Sequence, residues 1–197
     1  MIEPLKHPEA IAEKVQTYNG RVNFVPVGVG DAEFILSLRT NPLLNKNISP
    51  TKSDVQAQVK WIEDYLLRYE KGQEAYFKIR CDGADVGTIR MYSYDPADNS
   101  FCFGSWLIKP NTDSIAAFVS LSFIYELGFE VLGFVRARFD VRQANRSVWS
   151  FHELVGSRLI GQNDLDRFYE VTPAIYLTIN SYLRKFTRAP SNENPIS

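Results

Sequence analysis

Two cysteines, two histidines and no surplus of either charge sign leave this 197-residue chain few conspicuous chemical signatures. Cys81 and Cys102 lack metal-ligand spacing and lie in apolar, strand-like runs, so they read as small core hydrophobes rather than a thiolate centre or a disulfide. A net charge of −1 and the absence of a basic stripe remove the electrostatic case for a nucleic-acid or anionic-membrane partner. The cluster around Arg136 and Arg138 is too short to change that. No segment reaches membrane-spanning length, and no charged region followed by an apolar run opens the chain. A cytoplasmic location is the expectation. Repeats and low-complexity tracts are also missing. What is present is ordinary globular composition, with 45% apolar and 23% charged residues, enough for one domain with a core.

Residues 8–18 place Ile11 and Val15 on one face of a short helix, and Asn19-Gly20 marks a turn. Residues 22–27 alternate as a strand. Asp31 is placed to cap a helix over 32–39, where Phe34, Ile35 and Leu38 share a face. Residues 40–51, with two prolines and three asparagines, form a loop that could face a substrate. Ser53 caps a helix to about Glu70, lined by Val55, Val59, Ile62, Tyr65 and Leu66. Strands over 75–80, 86–92 and 100–108 are joined by Asp82-Gly83 and a polar turn at 95–99, an antiparallel meander.

After Ile108 the pattern becomes turn (109–113), helix (114–130), strand (134–141) and helix (145–156), which implies a parallel crossover. The first of these helices starts directly after a strand end, a natural anion-binding position. The second carries His152. Together they suggest a grip on a phosphorylated cofactor with a titratable group beside it. Residues 165–177 read as a last strand region broken near Pro173, and 189–197 as a disordered tail. The expected division is an extension over 1–22, a folded domain over 23–186 and a tail over 187–197.

The run Asn145-Arg-Ser-Val-Trp-Ser-Phe-His-Glu-Leu-Val-Gly156 resembles a helix of the GNAT acyltransferase superfamily, with His152 where the family usually has Tyr. Phe103-Gly-Ser-Trp-Leu-Ile108 is similar to the family's cofactor-binding strand. Val86-Gly-Thr-Ile-Arg90, Gly104-Ser-Trp106 and Phe139-Asp-Val-Arg142 resemble members that acetylate nucleotide-linked amino sugars. The resemblance implies an α/β (α+β) fold: a mixed, mostly antiparallel sheet, helices on both faces, and a splayed parallel strand pair. It implies acetyl-CoA as cosubstrate, no metal, a small-molecule amine acceptor, and is compatible with a homodimer. A protein N-terminal amine, an antibiotic amine, and a non-catalytic acyl-CoA-binding domain are the alternatives.

Carried over residue by residue, the resemblance assigns His152, Ser105 and Asp140 to catalysis. Trp106, Leu107, Ile108, Lys109, Asn111, Thr112, Ser114, Ile115, Asn145 and Val148 are assigned to the cofactor, and Arg39, Asn47 and Tyr92 to the acceptor. His152 would protonate the leaving thiolate or take the amine's proton; its plainer role is a helix histidine bonded to a carbonyl. Asn145 would contact the pantetheine arm, or simply cap its helix. Asp140 would be a base, or a structural partner of Arg138 or Arg142. Trp106 would be a site residue or core, and Tyr92 and Tyr94 would line the cleft or cover the sheet. His7 reads as a surface histidine. Two departures stand out. The expected pyrophosphate turn, 109–115, has no glycine, and the strand over 99–108 has no Glu to act as base. Asp113 suits a phosphate-facing turn only if its carboxylate turns back to cap the helix.

Overall fold

Backbone turns set the first half of the sheet. The computed structural model describes residues 21–187; the expected helix over 8–18, the Asn19-Gly20 turn, His7 and the tail over 189–197 lie outside them. Strand β1 (Val22–Pro26) leads into helix α1 (Ala32–Arg39), helix α2 (Val55–Glu70) and strand β2 (Ala75–Cys81). Asp82 and Gly83 both take positive φ, +48° and +81°, which matches the right-handed twist of a two-residue hairpin into β3 (Ala84–Asp95). Strand β4 (Ser100–Ile108) completes the meander.

The second half is helix α3 (Ile115–Glu126), a π-helical turn (Leu127–Val131), strand β5 (Arg136–Arg142), helix α4 (Arg146–Leu154), strands β6 (Arg158–Gln162) and β7 (Asp166–Val171), and helix α5 (Pro173–Thr187). The sheet order is β1-β2-β3-β4-β5-β7-β6, antiparallel except for β4 with β5. This is the mixed, mostly antiparallel architecture expected.

Alternation along β2 separates two cores. Phe77 and Ile79 face the larger one, beneath α3 and α5, where Phe123 stacks on Phe24 with ring centroids 3.8 Å apart. Tyr76 faces the smaller one with Ile35, Ile62 and Tyr65, under α1 and α2. Helix α3 is apolar on nearly every side because it lies between the sheet and α5. The site bridges the two cores: its Arg39 side lies on the α1–α2 face, while Phe103, Phe139 and Trp106 on its other side belong to or pack on the larger core.

Several expectations need correcting. The cap of α2 is Asp54, whose carboxylate accepts from the Ala57 amide at 3.0 Å, rather than Ser53. Asp31 does not cap α1 through its side chain; it accepts from Gly28 N at 3.0 Å and pairs with the Lys78 ammonium at 2.6 Å. The presumed strand over 165–177 divides into β7 and α5. Thr172 and Pro173 form a helix start, with Tyr176, Ile179 and Leu183 at helical spacing on the buried face. Strand β6 escaped notice because every residue of it is exposed, so no alternation marks it.

Candidate active site

Strand β4 carries an extra residue against β3. Thr88 is opposite Leu107 but Arg90 is opposite Gly104, so three steps on β4 match two on β3. Ser105 takes the strain with φ +46°, and the buried Thr88 hydroxyl donates to its carbonyl at 2.8 Å. On its other edge β4 pairs with β5 only over Ser100–Cys102 with Arg136–Arg138, while β5 stays paired with β7 as far as Arg142. The two strands therefore part, and one edge of β4 beyond Cys102 is left without a strand partner.

The His152 ring occupies the head of that gap, packed on Phe139 at 4.3 Å, Trp106 at 5.7 Å and Phe103 at 6.3 Å. His152 is 1% exposed and its Nδ1 has no hydrogen-bond partner. Burial lowers its pKa to about 3, so at neutral pH the imidazole is uncharged. It is not the carbonyl-bonded helix histidine of the plainer reading, at least through Nδ1. Neutrality also gives stability a sign. The unfolded chain binds a proton near 6.5 that the folded chain refuses until about 3. Stability is thus complete above 6.5 and falls as pH drops through that window, by about 2 kcal/mol at pH 5. The unfolding free energy from urea titration should be lower at pH 5 than at pH 7, and His152→Phe should narrow that difference by about 2 kcal/mol. An unchanged difference would show that His152 is protonated in the fold.

A cavity of about 390 Å³ opens from the gap and is lined by all six residues expected for catalysis and the acceptor: His152, Ser105 and Asp140 with Arg39, Asn47 and Tyr92. Asn145 and Val148 join them, one face of α4 at i, i+3 and i+7 with His152. Asn145 makes no side-chain cap to its helix; its Oδ1 accepts from the Ser147 hydroxyl at 3.4 Å, which leaves the Nδ2 amide group to the cavity. Trp106 also lines the wall, its indole N–H anchored to the Ser120 hydroxyl at 2.9 Å. Burial first, and the nearby charge of Asp166 second, push the Asp140 carboxyl above the usual carboxylate range; Arg142 opposes this while held by Asp166 at 2.9 Å. The Tyr92 phenol is pushed up to about 12, chiefly by burial and then by Asp140, so it serves as a neutral donor. Gly104 makes room for it, since a Cβ there would lie 2.9 Å from the phenol oxygen. Tyr94, by contrast, packs on Phe134.

The remaining cofactor candidates sit elsewhere. Leu107 is buried in the sheet and Ile108 packs on the core, so each offers only backbone. Lys109 does not face the start of α3: its ammonium donates to the Asp85 carbonyl at 2.8 Å and lies over the Phe34 ring. The glycine-free turn closes because Pro110 precedes Asn111 at φ +63°, with Thr112 N bonded to Lys109 O, a type II pattern in which Asn takes the glycine position. Asp113 caps α3 by accepting from Ile115 N at 3.0 Å, and Arg21 neutralises it at 3.0 Å. Ser114, Thr112 and Asn111 are left at the open end of that turn.

Sequence reasoning gave no site role to Arg90, quoted only within the Val86–Arg90 run, or to Arg142, read as a partner of Asp140; both line the cavity. The alternation Arg90, Tyr92 on β3 was the available signal. Among the described residues no helix is long and apolar enough to cross a membrane, and none of the His, Cys, Asp and Glu side chains form a metal-sized cluster.

The profile of the family described as "Acetyltransferase (GNAT) domain" matches residues 21–158. No curated protein matches the chain. Among solved structures, the apo form of FdhC, described as a nucleotide-linked sugar GNAT, is 34% identical with a TM-score of 0.77, covering 85% of this chain and 95% of that one. A variant of the spermidine N-acetyltransferase SpeG from Vibrio cholerae shares the fold at 16% identity and TM-score 0.66, with 81% and 98% coverage. So does RimJ of Mycobacterium smegmatis in complex with CoA-disulfide, at 17% identity and TM-score 0.68, with 82% and 88% coverage.

Proposed function

The chain belongs to the GNAT acetyltransferase family, and on that premise we propose that it acetylates the primary amine of a nucleotide-linked amino sugar, with acetyl-CoA as donor. The observation that carries this reading is the gap between β4 and β5, which ends on a buried imidazole and opens into a cavity with arginines on its walls.

The residues fit an acyl-CoA. The unpaired edge of β4 offers backbone groups to pantetheine amides, Val148 and Trp106 supply apolar wall, and Asn145 supplies a side-chain amide. Asn111, Thr112 and Ser114 at the start of α3 would face the pyrophosphate; Ile115, also expected there, has its amide taken by Asp113 and its side chain packed on the core. Acetyl-CoA, when bound, supplies a thioester carbonyl that an amine can attack. Because His152 is neutral, its N–H donates a hydrogen bond to charge developing at the head of the gap instead of delivering a proton as imidazolium. Asp140 takes the proton of the incoming ammonium, its raised pKa bringing it closer to that task. The Tyr92 phenol and the Ser105 side of the bulge orient the acceptor.

Arg39 and Arg90 on the cavity wall favour an anionic acceptor and repel a polycation such as spermidine. Free-thiol release from acetyl-CoA, followed with nucleotide-linked amino sugars, spermidine and an N-terminal peptide, tests the reading. Release that requires the sugar nucleotide supports it; release only with spermidine or the peptide overturns it.

Asp140 yields a second expectation. As pH falls through its raised pKa the carboxylate is lost, so kcat/KM should decline on the acid side at a pH above that of an ordinary carboxylate. Asp140→Asn should lower kcat by about 10²-fold and remove this limb. A pH profile that keeps the same acid limb in the variant would discharge Asp140 from the role of base.

A further inference from the structure

A second cavity, of about 350 Å³, adjoins the first along α2 and shares Arg39, Arg90 and Ser105 with it. Its far wall is formed by Lys52, Gln58 and Trp61. Each volume is within the range of small-molecule sites. The cationic side chains around this second space are Arg39, Lys52 and Arg90. Its carboxylate, Asp54, is already committed to the cap of α2. A positive balance is left at the place where the two cavities meet.

Arg90 is held there firmly. Its guanidinium lies 5.0 Å from the Trp61 ring and 4.8 Å from the Tyr92 ring, and its Nε donates to Glu74 at 2.9 Å, with a second contact from Nη2. Glu74 is almost fully buried and also accepts from Arg68 Nε at 2.6 Å. One carboxylate thus serves two guanidiniums, so the cluster keeps one positive charge beyond what Glu74 neutralises. Arg39 is fixed in a similar way, its Nε donating to the Thr51 hydroxyl at 2.8 Å and its Nη2 reaching the Ser49 carbonyl at 3.4 Å. On both arginines the Nη1 group has no partner among the described residues. Two guanidiniums held in the wall that both cavities share suit phosphate oxygens, which a guanidinium fork can bind in bidentate fashion.

We infer that Arg39 and Arg90 clamp the diphosphate of the acceptor, with its nucleoside in the cavity lined by Lys52, Gln58 and Trp61 and its amino sugar directed past Ser105 toward Asp140. The clamp rests on the sugar-nucleotide reading but has a separate readout. Arg90 is the specificity residue of the pair: Glu74 and the two rings fix its fork before ligand arrives, so little side-chain freedom is lost on binding.

The test is calorimetric titration of UDP, TDP and GDP into the full chain with CoA already saturating, so that the donor's own diphosphate site is filled. The wild type should bind at least one of them. Arg90→Gln and Arg39→Gln should each weaken that binding by about 10-fold or more, with Arg90→Lys between wild type and Arg90→Gln. In turnover the loss should appear chiefly in KM for the nucleotide-linked sugar, with kcat changed much less. Thermal melting checks the fold of Arg90→Gln; should it unfold, Arg39→Gln and Arg90→Lys carry the same comparison. Absence of nucleotide binding by the wild type, or binding indifferent to these substitutions, overturns the clamp. Nucleotide binding that obeys the clamp without transfer to any nucleotide-linked amino sugar upholds it and overturns the substrate reading instead.

Discussion

Replacing His152 by Phe should lower kcat by about 10² to 10³-fold while the affinity for CoA changes by less than about threefold. Phe keeps a ring against Phe139 and Trp106, so the packing at the head of the gap survives. What disappears is the N–H that meets developing charge in a site with almost no solvent exposure, where one hydrogen bond is worth far more than in water. Binding of the donor rests on the open edge of β4 and the start of α3 and draws little from the ring. His152→Tyr restores an O–H donor on a ring of similar size and should regain part of the lost rate. Steady-state kinetics with calorimetry on both variants separates the outcomes. Equal loss of CoA affinity and rate would make His152 a wall of the site and nothing more.

Gly87→Ala should cost about 3 kcal/mol and lower the melting temperature by about 10 °C. A Cβ at this position would lie 2.3 Å from the Leu107 carbonyl oxygen and 3.1 Å from the Ile108 Cα, both backbone atoms of β4 that no rotamer change can move aside. Strand β4 must shift, and the part that shifts adjoins the bulge at Ser105, which the Thr88 hydroxyl ties to β3. The substitution should therefore reduce kcat/KM more than its loss of stability explains when both are measured well below the melting temperature. A variant as stable and active as the wild type would mean that β4 slides freely at Leu107, and the bulge would lose its part in shaping the site.

Some of this was readable from residue order and some was not. The meander was legible because Asp82-Gly83 and the polar segment around Asn99 encode their turns locally. The α4 face was legible because Asn145, Val148 and His152 fall at helical spacing on one short segment. Lys109 was misplaced because sequence adjacency to a helix start says nothing about which way a long side chain turns, and Asp85 and Phe34, far away in sequence, decide it. The ionisation of His152 was equally hidden, since it depends on a ring cage assembled from β4, β5, β7 and α4. Helix α5 was obscured by apolar residues whose first turn resembles a strand, although Thr172-Pro173 was a start signal in plain view. Arg90 entered the sequence reading only as the end of the Val86–Arg90 run, with no role attached; its importance comes from Glu74, Trp61 and Tyr92 meeting around it.

The central claim is that acyl transfer takes place in the gap between β4 and β5, with the acceptor amine arriving from the arginine side. The most direct measurement is a crystal structure of the full chain with CoA and a nucleotide-linked amino sugar bound together. The account predicts the CoA sulfur between β4 and β5 within hydrogen-bond reach of His152, and the sugar amine facing Asp140. A pantetheine arm outside that gap, or an amine on the side away from Asp140, would contradict it.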